Sequence, residues 1–222
     1  KKTIKVLLGF FSINAILLAL AEIHARKNIF DFLITDNQTF NGVLLYIGSA
    51  LTFLIPLYFF AIRGRKVKPS DFGLKSITFM QAVKTILTGY GLLLLLTLIL
   101  AAVTYYIGDI PGIGTQKSIL PVFGEGRTAL ITAGVIAVAI APVVEEIFFR
   151  GFLLNSLMSK FSFLTSSIIT SAIFALVQFQ FESILGIFIL SLIINYLYKI
   201  NGNSTSATII FHMVNNAVAM II

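Results

Sequence analysis

Two adjacent carboxylates, Glu145 and Glu146, stand near the end of an apolar run that begins near Ala129, and Arg150 follows four to five residues on. Helical spacing lets that arginine fold back onto the face of the acids. Ionisable groups within a membrane segment are costly, so a Glu-Glu-x-x-x-Arg cluster there is a functional-site candidate. The plainer reading is the cytosolic end of a span with its arginine snorkelling to the headgroups. A second set of polar residues lies downstream. His212 and Asn216 are four apart and share one helical face, and Gln178 closes the run Phe174-Ala-Leu-Val-Gln178. Measured at about 1.5 Å per residue from the turns near Lys160 and Gly202, Glu145, Gln178, His212 and Asn216 are expected at similar depth on three helices.

The chemistry of such a set is water activation. A carboxylate in low dielectric holds its proton more tightly and acts as a general base near neutral pH, and a second acid beside it strengthens the effect. His and Asn donors stabilise the oxyanion of an attacked carbonyl. Hydrolysis of a peptide bond in or near the membrane fits. Each residue taken singly also has a structural reading: a hydrogen-bonded His, an interhelical Asn, a Gln marking a span end. A divalent ion on Glu145 and His212 is the weak alternative, because one intramembrane His and no Cys make a poor zinc site. No cofactor is expected.

These residues must be positioned by membrane helices. The 222-residue chain is 58% hydrophobic and 11% charged, and its apolar runs are continuous rather than alternating. That composition excludes a soluble domain and favours helices over a barrel. The fold expected is all-α, a polytopic transmembrane helical bundle of about seven spans (six to eight), with 1–222 as one membrane domain. The spans read from the sequence are Val6–Ile23, Gly42–Ile62, Thr85–Ile107, Ala129 to about Met158, Phe163–Phe179, Ser183–Tyr198, and Ser204 to the end. The first is read as retained rather than as a signal peptide, since its run is long and bulky residues follow. Pro142 is expected to kink the fourth, one turn before Glu145. His24–Asn41 reads as a polar connection. Asp71–Lys84, which mixes apolar and polar positions, reads as an interfacial segment.

The net charge of +7 reports orientation and not a nucleic-acid partner. With the N-terminus inside, twelve of the sixteen Lys and Arg residues fall on the cytoplasmic side, leaving Arg26, Lys27, Lys117 and Arg127 outside. The expected setting is therefore a cell membrane, with a cytoplasmic N-terminus and the lipid bilayer as surroundings.

With these motifs the chain resembles the CPBP or Abi family of intramembrane proteases, which includes the type II CAAX prenyl endopeptidases. The resemblance covers about residues 129–222. Glu145, Glu146 and Arg150 match the family's Glu-Glu-x-x-x-Arg motif, and His212 and Asn216 match His-x-x-x-Asn. The Phe-x-x-x-His motif is met at Phe174 but carries Gln178 in place of the His. The resemblance implies Glu145 as the base, supported by Glu146 and Arg150, with His212 and Asn216 as the oxyanion site. Gln178 would stand where a His helps polarise the water; an amide holds water but does not exchange a proton with it. Implied substrates are membrane-associated proteins or peptides, as in peptide maturation or bacteriocin immunity. Two other functions fit the residues: a pseudoprotease scaffold that holds a partner membrane protein, motivated by Gln178, and a proton- or ion-coupled transporter, motivated by the mid-membrane Glu and His.

Overall fold

A computed structural model describes residues 2–27, 35–114 and 116–221, and it is helical throughout with no strand among the described residues. In chain order the helices are α1 (Lys2–Lys27), α2 (Gln38–Leu57), α3 (Phe79–Ile107), α4 (Leu120–Phe123), α5 (Arg127–Gly134), α6 (Ala141–Glu146), α7 (Asn155–Met158), α8 (Phe163–Val177), α9 (Ile184–Ile200) and α10 (Thr205–Ala219). Three π-helical segments, Tyr58–Ile62, Val135–Ile140 and Ile147–Leu154, join or extend them. Among the described residues, four helical stretches are long and apolar enough to cross a bilayer: Gln38–Ile62, Phe79–Ile107, Arg127–Met158 and Phe181–Ile200. Shorter apolar helices run over Thr3–Ile16 and Phe163–Val177. The chain is an integral membrane protein. Part of the connection expected at His24–Asn41, residues 28–34, lies outside the described residues, while α1 continues to Lys27.

Contacts divide the chain into two compact units, Lys1–Val67 with Ser118–Phe148, and Lys68–Lys117 with Phe149–Ile222. In the first, Phe10, Phe53 and Phe148 stack into an aromatic core, with Phe10 and Phe53 at 4.8 Å and Phe53 and Phe148 at 5.0 Å. A second core gathers Phe123, Ala129, Ala133 and Ile136 against Val43, Tyr46 and Leu120. The N-terminal turn of α2 is tied to α4 by polar groups. Gln38 Nε2 donates to the Pro121 carbonyl at 2.8 Å, and Thr39 Oγ1 donates to that of Phe123 at 2.8 Å. These bonds satisfy carbonyls that the short α4 leaves open.

In the second unit, α3 packs on α9 and α10. Small residues allow the approach. Gly89 lies under the Phe211 ring, which a Cβ would overlap, and the buried Thr85 hydroxyl contacts Asn201 Oδ1 at 3.2 Å. Close approach through small residues replaces the hydrophobic drive that lipid does not supply between helices.

The Asp71–Lys84 stretch joins a turn to the start of α3. A single 3-10 turn, Pro69–Phe72, ends at Gly73 in the left-handed region (φ +70°), and α3 begins at Phe79 after the N-cap Thr78. The segment is fastened to the α9–α10 turn. Thr205 donates its backbone N–H to the Gly73 carbonyl at 2.8 Å, Lys75 donates its Nζ to the Gly202 carbonyl at 2.8 Å, and the Lys75 N–H reaches Ser206 Oγ at 2.9 Å. A Cβ at residue 73 would strike the Asn203 carbonyl, so both φ and space require glycine.

Candidate functional site

Glu145 and Glu146 close α6, the last α-helical turns of the first unit. Pro142 stands at the start of α6, directly after the π segment Val135–Ile140. That is where proline is tolerated, because its missing N–H falls at a helix start; the chain accommodates it by a change of hydrogen-bond register. Glu146 is fully buried and Glu145 half-buried. α2 packs directly on α6. The backbone after Glu146 is π-helical from Ile147 to Leu154, a wider winding that recurs at functional positions.

Arg150, Gln178, His212 and Asn216 belong to the second unit. Arg150 is wholly buried, and helix α9 supplies its ligands. Its Nε donates to Asn195 Oδ1 at 3.0 Å; Nη2 donates to the Ser191 carbonyl at 3.0 Å and to Ser191 Oγ at 2.9 Å. The guanidinium also sits 5.1 Å from the Phe174 ring centroid, a cation–π contact strengthened by burial. Asn195 is itself held, its Nδ2 donating to the Ser167 carbonyl at 3.2 Å and to Ser171 Oγ at 3.0 Å. The snorkelling reading of Arg150 does not survive this burial.

Phe174 is the meeting point of this unit's site residues. Its ring lies edge-on to Phe149 at 4.9 Å and to His212 at 6.3 Å, besides receiving Arg150. His212 is buried on α10, and Asn216 follows one turn later, half-buried. Gln178 is the C-cap of α8, one turn beyond Phe174 and half-buried. The helix stops there because Phe179 turns into the left-handed region (φ +52°), a costly conformation for an aromatic residue. The neighbouring polar residues have other work. Gln180 Oε1 accepts from the Lys117 N–H at 2.9 Å, and Glu182 pairs with Lys117 Nζ at 3.3 Å. They dock the glycine-rich loop 108–117, whose Gly114 N–H donates to the Glu182 carbonyl at 2.6 Å.

Sequence reasoning missed Ser191 and Asn195. Both had a readable signal, since polar residues four apart in an apolar run share a face. Among the described residues, no three His, Cys, Asp or Glu side chains gather as a cation site.

Comparison with curated proteins and with solved structures finds no match. Residues 127–218 match the family model described as "Type II CAAX prenyl endopeptidase Rce1-like", a family of proteases. That stretch, under half of the chain, carries both glutamates, Arg150, Gln178, His212 and Asn216, and it is similar to this family.

Proposed function

We propose that this protein is an intramembrane endopeptidase of the CAAX-protease type, acting on a membrane-associated protein or peptide. The observation that carries the reading is that one segment, matched to a protease family, holds a Glu-Glu-x-x-x-Arg motif and a His-x-x-x-Asn motif. In the proposed reaction Glu145 takes a proton from water as the oxygen attacks the peptide carbonyl. Negative charge moves onto the carbonyl oxygen, where His212 and Asn216 donate hydrogen bonds to it. The tetrahedral intermediate collapses, the C–N bond breaks, and Glu145 returns the proton to the leaving amine. Glu146 and Arg150 hold the base in place, and Gln178 orients the water through its amide. Protein groups suffice for each step; Glu145 and His212 alone would be a meagre ligand set for a divalent ion. The basic residues support a cytoplasmic N-terminus, and the family likeness suggests a bacterial cell membrane with peptide maturation or bacteriocin immunity as the role.

A second reading, favoured by Gln178 at the family's His position, is a pseudoprotease that holds a partner membrane protein. Purified protein in liposomes, offered a panel of membrane-anchored peptides, separates the two. Cleavage that is lost in Glu145→Ala supports the endopeptidase. Absence of cleavage by both the native protein and Gln178→His, with partner binding retained in Glu145→Ala, supports the scaffold.

A further inference from the structure

Five lysines from separate stretches of the second unit are brought to one end of it. Lys75 sits against the α9–α10 turn, where its Nζ donates to the Gly202 carbonyl at 2.8 Å and the nearby Gly73 carbonyl accepts the Thr205 N–H at 2.8 Å. Lys68 heads the same 3-10 turn that ends at Gly73. Lys84 precedes Thr85, whose hydroxyl donates to Asn201 Oδ1 at 3.2 Å beside the α9–α10 turn. Lys199 stands in the last turn of α9, and its Nζ lies 5.9 Å from the centroid of the Phe163 ring, which opens α8. Lys160 occupies the turn just before α8, its N–H bonded to the Leu157 carbonyl at 2.9 Å. All five residues are exposed.

Their charge is not balanced within the unit. None of the five ammonium groups pairs with a carboxylate among the described residues. The acid within these stretches, Asp71, accepts the Lys68 backbone N–H at 2.8 Å. The unit's other acids are Asp109 and Glu182. Asp109 follows the far end of α3, a helix of 29 residues and so about 43 Å long, and Glu182 pairs with Lys117. Apolar side chains share the level of the lysines: Phe79 and Met80 open α3, Phe161 follows Lys160, and all three are exposed. A water-soluble acidic partner would leave them wet. A lipid surface satisfies both groups, with phosphates at the ammonium ends, acyl chains around the apolar side chains, and the lysine stems along the boundary. About four basic residues gathered at the end of a span are enough to select anionic lipid.

We propose that this end of the second unit binds the phosphate headgroups of anionic phospholipids through Lys68, Lys75, Lys84, Lys160 and Lys199. The proposal does not rest on the endopeptidase reading. Electron paramagnetic resonance tests it on full-length protein in phosphatidylcholine bilayers carrying a trace of spin-labelled phosphatidylglycerol or spin-labelled phosphatidylcholine. Native protein is expected to immobilise the phosphatidylglycerol probe about fivefold more strongly, the equivalent of one lysine near an anionic surface. That preference should vanish in about 1 M salt. A combined variant, Lys68→Gln, Lys84→Gln, Lys160→Gln and Lys199→Gln, leaves the Lys75 bond to Gly202 intact and should lose at least half of the preference. Arginine at the same four positions should keep it, as should Lys117→Gln at the other end of the unit. Equal immobilisation of the two probes by native protein overturns the proposal, and so does a full preference in the glutamine variant. If circular dichroism shows that variant unfolded, the single substitutions Lys84→Gln and Lys160→Gln take its place, and a preference unchanged in both overturns the proposal. Binding of a soluble polyglutamate peptide by native protein, with the two lipid probes held equally, would assign the lysines to an acidic peptide instead.

Discussion

Arg150 and Asn195 meet in a wholly buried hydrogen bond, guanidinium Nε to amide Oδ1, at 3.0 Å. A guanidinium cannot shed its charge, so once buried it must be surrounded by acceptors. Asn195 supplies one and is oriented by donating to Ser167 and Ser171 on α8. The arginine of the first motif is thus fixed by two helices that the motif itself does not name.

Removing the amide should be expensive. Asn195→Ala leaves an Nε–H without its acceptor and abandons the Ser171 hydroxyl. We expect a loss of about 3 kcal/mol, within the range for breaking a buried charged network. Ser191→Ala should cost less, about 1 kcal/mol, because the Ser191 carbonyl still accepts from Nη2. Thermal unfolding in detergent, followed by circular dichroism, checks both. Equal melting temperatures for native protein and Asn195→Ala would show that the network is not structural.

Two glycines on α3 should respond with opposite sign. Gly89 lies against the Phe211 ring, and a Cβ there would overlap it; nothing lies within 4 Å of a Cβ at Gly91. Gly89→Ala should therefore lose about 1–3 kcal/mol by overpacking. Gly91→Ala should gain up to about 1 kcal/mol from helix propensity alone. The same unfolding measurement tests the pair, and stabilisation by both substitutions would contradict the packing of α3 on α10.

The helical class was legible because lipid leaves the backbone no other choice, and the apolar runs announce it. Glu145, Glu146, Arg150, His212 and Asn216 stood out because charged and polar groups in such runs are rare. What stayed hidden depends on long-range or register effects. Nothing local to residues 71–75 announces their bonds to residues 202–206. The π segments on either side of α6 left no residue-type signature, since Val135–Ile140 reads like any apolar α-helix. Gln178 was read near the end of span five, where the helix does stop, but the backbone angle at Phe179 that ends it is one that no propensity for phenylalanine foretells.

Gln178 offers a gain-of-function test. It caps α8 one turn beyond Phe174, whose ring touches His212. If the position holds the attacking water, a side chain that exchanges protons should do better than one that does not. Gln178→His is expected to raise kcat at least about tenfold, toward the contribution of a positioned general acid or base. Gln178→Asn, an amide set further back, should raise nothing. A Gln178→His rate equal to the native rate would remove Gln178 from the proposed reaction.

The two glutamates should separate by their surroundings. Glu145 is half-buried, so Glu145→Gln keeps the shape of the site at little cost in stability while deleting the base. Peptide cleavage should fall by at least about a hundredfold with the melting temperature nearly unchanged. Glu146 is wholly buried, so its carboxylate persists only where its surroundings compensate the lost hydration. Glu146→Gln changes that balance and should alter both the melting temperature and the rate. Paired measurements of unfolding and cleavage on the two variants read the difference directly. Were Glu146→Gln to leave stability untouched while Glu145→Gln unfolded the protein, the assignment of base and support would be reversed.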